Sequence, residues 1–224
     1  MTQWMSLVTV RGRMKAWLAV PDGEPDGGIV IAHDVFGVDE DMRRIAWRYA
    51  NAGYLAIVPA LFDGIWGETE LAYTPENHEL GMSLATRLGN QAAAEMAAAA
   101  TDAVRPAGDI AVLGYGWGGM VALHAARALT IPCVNYCGDA EPLIRNASLS
   151  RPTLFHYGVK DPKYDPDGFP LDGQAPPGTK VHAYFAGDGF HREGDPTRFH
   201  AVSASLAQER SMEFLSVHLR HQYD

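Results

Sequence analysis

The run Ile110-Ala111-Val112-Leu113-Gly114-Tyr115-Gly116-Trp117-Gly118-Gly119 decides how this chain folds. Its first four residues read as a buried strand. The glycines read as a tight turn, and the stretch that follows, to about Leu129, reads as a helix. Strand, glycine-rich turn and helix in immediate succession form the repeating unit of an α/β protein with a largely parallel sheet.

The rest of the chain repeats that alternation. Met5–Val10 and Met14–Val20, split by Arg11-Gly12-Arg13, spell an N-terminal hairpin. Strands are expected at Ile29–Ala32, Tyr54–Val58, Cys133–Tyr136, Thr153–Tyr157 and Val181–Phe185. Helices are expected at about Glu40–Ala52, across the alanine-rich stretch Glu76–Val104 and at about Arg198–His218. The second of these is either one helix or two broken near Gly89-Asn90. Gly64–Pro75 reads as a loop able to lie over a cleft, and Asp161–Pro177 as a long Pro/Gly/Asp-rich loop. With 224 residues and no internal repeat, one domain over residues 1–224 is expected.

Composition narrows the function classes. A formal net charge of −9 argues against a general nucleic-acid or anionic-membrane surface. No apolar run approaches the ~18 residues of a membrane span, and the N-terminus lacks a secretory pattern, so a cytoplasmic protein is expected. Two cysteines exclude a disulfide framework. Cys133 and Cys137, four apart and expected on one face, read as buried, inert thiols.

The glycine turn carries two chemical readings. Gly114, Gly116 and Gly119 satisfy G-x-G-x-x-G, with Asp139 twenty residues on, the pattern of a dinucleotide site in an oxidoreductase. Gly114 and Gly118 equally supply the flanks of a nucleophile elbow, whose strand-to-helix turn is too tight for larger residues. The residue between them is Gly116, and no Ser, Thr or Cys occurs between Leu113 and Ala122. Three other segments favour the elbow. Asp161 follows one late strand and His191 another, in the order nucleophile, acid, base. His33–Val38 follows an early strand, where a backbone N–H can complete an oxyanion hole.

The ordered set of motifs resembles the dienelactone hydrolase family of α/β-hydrolases. It comprises Asp34-Val35-Phe36-Gly37, Gly53-Tyr54, Pro59-Ala60-Leu61-Phe62, Gly114-Tyr115-Gly116-Trp117-Gly118-Gly119, Tyr136-Cys137-Gly138, Gly158-Val159-Lys160-Asp161 and His191. The resemblance implies hydrolysis of lactones or small carboxylic esters by a cysteine nucleophile, a histidine base and an orienting aspartate, without a cofactor. Carried over, His191 corresponds to the base, Asp161 to its orienter and Asp34 to a glutamate that governs the cysteine. The N–H groups of Val35 and Trp117 correspond to the oxyanion hole. The cysteine position is Gly116, so the acyl-enzyme route is expected to be impaired or absent, leaving a non-catalytic small-molecule binding protein as an alternative. Phe36 and Arg192 are candidate substrate contacts, with Trp66, Tyr73 and Arg87 behind them. Asp39 is better placed than Asp34 to cap the helix that follows, so Asp34 is expected in the cleft, needing His191 or an arginine to offset its charge. His33, Asp34, Asp161 and His191 could chemically ligate zinc, but no spacing demands it, and no metal is expected. The expected partner is a small lactone or ester, and the expected state a monomer or small homo-oligomer.

Overall fold

The computed structural model describes residues 1–138, 151–161 and 178–219. Eight strands form one sheet: β1 (Thr2–Thr9), β2 (Gly12–Ala19), β3 (Gly28–Ala32), β4 (Leu55–Pro59), β5 (Ile110–Tyr115), β6 (Cys133–Tyr136), β7 (Thr153–Gly158) and β8 (Lys180–Tyr184). Their spatial order is β1-β2-β4-β3-β5-β6-β7-β8. The hairpin pairs antiparallel to itself and to β4, and every pairing from β4 to β8 is parallel. This is the mostly parallel sheet that the alternation predicts, in the α/β-hydrolase arrangement that the resemblance implies.

Helices cover both faces, which is why the central strands are continuous apolar runs. Ile29 and Ile31 point into the layer under α1 (Glu40–Asn51) and α5 (Ala201–His218). Val30 and Ala32 point the other way, under α3 (Asn90–Val104) and α4 (Trp117–Leu129). The alanine-rich stretch resolves into α2 (Pro75–Leu88) and α3, broken at Gly89, whose φ of 80° ends one helix and starts the next. Asp39 caps α1, its Oδ1 accepting from Met42 N at 2.9 Å.

Cys133 and Cys137 are both buried, but they face opposite core layers rather than one. Cys137 lies past the end of β6 with a φ of 56°, and that left-handed turn breaks the two-residue alternation of the strand. Asp139 and most of the Pro/Gly/Asp-rich loop, residues 162–177, lie outside the described residues.

Candidate active site

The site forms where β3 and β5 end side by side, with Ala32 opposite Gly114. His33 fixes the segment after β3. Its Nε2 accepts from Leu61 N at 3.1 Å, so its Nδ1 carries the proton and donates to Asp34 O at 2.7 Å. Burial pushes this histidine down to about 4, so the ring is neutral and structural.

Asp34 is turned into the end of the elbow. Its Oδ1 accepts from Val35 N at 2.8 Å and from Trp117 N at 3.1 Å. These two backbone donors converge as an oxyanion hole does, and the chain's own carboxylate fills it. Its Oδ2 accepts from Arg192, in an ion pair whose side chains are only 8% and 4% exposed. Burial raises the Asp34 carboxyl, but Arg192, the two N–H groups and His191 more than offset this and hold it below the usual carboxylate range. The charge expected to need a partner thus has one, in Arg192.

Gly116 explains why the carboxylate can sit there. Its backbone takes φ 53°, ψ −121°, open to glycine and strained for other residues. A Cβ at this position would lie 2.2 Å from Asp34 Oδ1, 2.3 Å from its Cγ and 2.4 Å from its Oδ2. The space in which an elbow nucleophile would begin is therefore occupied by Asp34.

His191 lies in an aromatic wall, with ring centroids 5.0 Å from Tyr115 and 5.8 Å from Tyr136. It is buried, and among the described residues neither ring nitrogen has a hydrogen-bond partner. Burial, aided by Arg192, pushes it down to about 3. The expected hydrogen bond from His191 to Asp161 is therefore not made. The buried Asp161 carboxylate instead lies with Cys137 Sγ and Asp188, their ligand atoms all within 4.8 Å of one another. This is the set of metal-capable side chains among the described residues. The four residues that could chemically ligate zinc do not assemble into one group among the described residues, and both ring nitrogens of His33 are engaged.

Arg192 lies 5.1 Å from the Phe36 ring and 5.9 Å from that of Tyr73, so Phe36 serves as a platform for the guanidinium. Tyr73 OH stands 2.6 Å from Asp39 Oδ2 and 2.9 Å from Asp41 Oδ2. Burial and the nearby Asp41 raise the Asp39 carboxyl to about 6. The loop before α2 docks on the Phe36–Gly37 turn, with Leu71 N donating to Phe36 O at 2.9 Å.

The open part of the site is a cleft of about 450 Å³ whose lining includes Asp34, Met82, Ala85, Trp117, Met120 and Arg192. Trp117 stacks on Phe62 at 5.2 Å and donates its indole N–H to Asn90 Oδ1 at 2.8 Å, tying the elbow to the α2–α3 break. Gly81, which carries no motif signal, is also part of this arrangement. A Cβ there would meet Val35 O at 2.2 Å, so glycine lets α2 close against the N–H segment.

An elbow between β5 and α4 that faces a donor segment after β3 and a histidine after β8 is the site plan the ordered motifs predict. The sequence profile of the dienelactone hydrolase family matches residues 14–219. The chain belongs to this family. It is 27% identical over 219 residues to carboxymethylenebutenolidase 1 of Cupriavidus pinatubonensis, covering 92% of each chain. It is 29% identical over 218 residues to the carboxymethylenebutenolidase of Pseudomonas sp. strain P51, covering 91% of this chain and 90% of that one. The fold matches the crystal structure of dienelactone hydrolase from Anabaena variabilis with a TM-score of 0.71 and 19% identity, over 98% of this chain and 99% of that one. Within the dienelactone hydrolase family framework, this chain has glycine at its elbow and an aspartate carboxylate on the adjacent N–H groups.

Proposed function

We propose that the cleft binds small lactone- or ester-like molecules and that the acyl-enzyme route of a dienelactone hydrolase is closed in this chain. The observation that carries this reading is the Asp34 carboxylate on Val35 N and Trp117 N, against a Gly116 that has no side chain. Acyl transfer needs a nucleophile and a vacant oxyanion hole at the same place. Here residue 116 supplies no nucleophile, and the two N–H groups are occupied. The lactone class comes from the butenolide in the names of the relatives and from the size of the cleft.

The glycine turn does not favour the dinucleotide reading. A pyrophosphate would need the N-terminus of α4, and there Trp117 N already donates to a carboxylate, whose negative charge repels phosphate.

The test is single-turnover mass spectrometry of the native chain with a dienelactone and with 4-nitrophenyl acetate. The expected result is no acyl adduct, no burst, and any turnover confined to the ~10³–10⁴ over water that a site without its nucleophile can retain. A rise in unfolding temperature that grows with the logarithm of the unhydrolysed lactone's concentration is expected alongside, a stabilisation of about 2.7 kcal/mol at a hundredfold excess over Kd. An acyl-enzyme formed at a rate competent for turnover overturns the reading.

A further inference from the structure

The group that closes the acyl route is itself a nucleophile. We propose that Asp34 accepts an alkyl group, and that the cleft hydrolyses small, uncharged primary alkyl halides through an ester on the Asp34 carboxylate.

Placement is the first argument. The carboxylate lines the cleft and fills the space in which a side chain at residue 116 would start. Oδ2 accepts from Arg192, and a carboxylate oxygen has a second lone pair to offer. The ion pair keeps the group charged and holds it in one orientation.

The second argument is what the filled oxyanion hole can still do. It cannot receive the carbonyl of an incoming ester. It is correctly placed, however, for a reaction in which the carbonyl under attack belongs to Asp34. Once Oδ2 is alkylated, Oδ1 becomes the carbonyl oxygen of the ester, already 2.8 Å from Val35 N and 3.1 Å from Trp117 N.

The third argument is the set of unused nitrogen atoms. Among the described residues, His191 is buried and neutral with neither ring nitrogen hydrogen-bonded, and Arg192 Nε is buried without a partner. Buried polar atoms left unpaired within one site point to groups that arrive with a ligand. The first can take a proton from water, and the second can face a departing anion. Met82, Ala85 and Met120 supply apolar cleft wall, which favours an uncharged alkyl body over a second carboxylate.

The reaction balances as follows. Oδ2 bonds to the substrate carbon while the carbon–halogen bond breaks, and the halide leaves with the electron pair on the side of the carbon opposite Oδ2, reaching Arg192 only after it has left. The guanidinium, whose carboxylate has become a neutral ester, thus meets a new anion. Water then adds its oxygen to Cγ while His191 takes its proton, and the negative charge on Oδ1 rests on the two N–H groups. Collapse breaks the Cγ–O bond to the alkyl group, and the departing alkoxide takes the proton from His191. The free Asp34 acid ionises, so alkyl halide and water become alcohol, halide and a proton. One oxygen of Asp34 now comes from water.

That exchange gives a test that needs no variant. The native chain, in excess over benzyl chloride in ¹⁸O-water, is digested and its peptides weighed. One ¹⁸O in the peptide bearing Asp34 is expected. His191→Gln is expected to accumulate a benzyl ester on Asp34, and Asp34→Asn to show neither label nor ester. Unlabelled Asp34 in the native chain, or a benzyl group found only on other residues, overturns the proposal; if His191→Gln does not fold, the native labelling decides alone. The outcome is independent of the acyl-transfer reading, because an acyl adduct elsewhere leaves Asp34 unlabelled.

Discussion

Replacing Gly116 by alanine adds a single carbon, and the structure sets what that carbon must displace. It would lie 2.2–2.4 Å from three atoms of the Asp34 carboxylate, where carbon contacts are comfortable at about 3.5 Å or more. The carboxylate must retreat by about an ångström, which breaks its bonds to Val35 N and Trp117 N. Hydrogen bonds to a charged group are worth about 1.5–3 kcal/mol each, and the φ of 53° adds about 1–3 kcal/mol of backbone strain for any residue but glycine. The low ends alone come to about 4 kcal/mol, or roughly 8–16 °C in Tm for a chain of this size. In an Asp34→Gly background only the strain remains, so the same alanine should cost about 1–3 kcal/mol. The strain cancels in the double-mutant cycle, which therefore predicts a coupling of about 3 kcal/mol between positions 34 and 116. Urea unfolding of all four proteins measures it, in sucrose throughout so that the Asp34→Gly forms stay folded. Equal costs in the two backgrounds would mean that Asp34 does not fill the space at Gly116, and the reasoning about the site would fail with it. The same logic orders the chemistry: Gly116→Cys alone should give no acyl-enzyme, because its thiol has no room and the N–H groups stay contested. Gly116→Cys with Asp34→Gly should acquire one.

Three further outcomes follow from the same contacts. Arg192→Met leaves the Asp34 carboxylate buried and unpaired and should cost about 3–5 kcal/mol, most of it recovered by adding Asp34→Asn. Because Arg192 helps to depress the Asp34 carboxyl in the fold, that stabilisation exists above the unfolded value of about 3.9 and is lost as pH falls through the folded one. The deficit of Arg192→Met in urea unfolding should therefore shrink as pH falls from the raised Asp34 value of the variant to the depressed value of the native fold. His191, pushed down to about 3, stays neutral while an unfolded histidine of about 6.5 takes a proton. Its ring protons should show no NMR titration between pH 8 and pH 5, and the stability it lends should fall as pH drops from about 6.5 toward 3. Asp39, raised to about 6 in the fold, favours the folded state fully below about pH 3.9 and loses that contribution as pH rises through 6. Asp39→Asn keeps the cap on Met42 N and removes a like charge beside Asp41, so thermal unfolding should find it as stable as the native chain or more so at pH 8.

The strand ends were legible in the sequence because apolar runs punctuated by glycine and proline mark where a parallel sheet stops, and ligands bind there. Gly116, Asp34, Arg192 and His191 could each be placed at one end of the sheet from their positions in the chain alone. The contacts among them could not be read this way. Sequence order puts Asp161 and His191 after neighbouring strands, yet the carboxylate turns toward Cys137 and Asp188. A side chain's direction depends on rotamers and burial, which spacing does not encode. Gly81 was missed for a related reason. A glycine inside a helical pattern is marked only by a small propensity cost, and its role is steric, against the Val35 carbonyl from a distant segment. The Gly89 break was visible as a glycine but undecided, since an alanine-rich stretch supports one long helix as readily as two.

The interlock of Asp34 with Gly116 also bears on how such a chain can change over generations. A thiol introduced at 116 meets a carboxylate already seated, so that substitution is harmful on its own. Residue 34 must shorten or swing away first, and that step exposes the buried Arg192 before any gain is available. Each of the two changes is disfavoured while the other is missing. A cysteine at 116 is therefore reached only through a less stable intermediate, and each of the two positions holds the other in place.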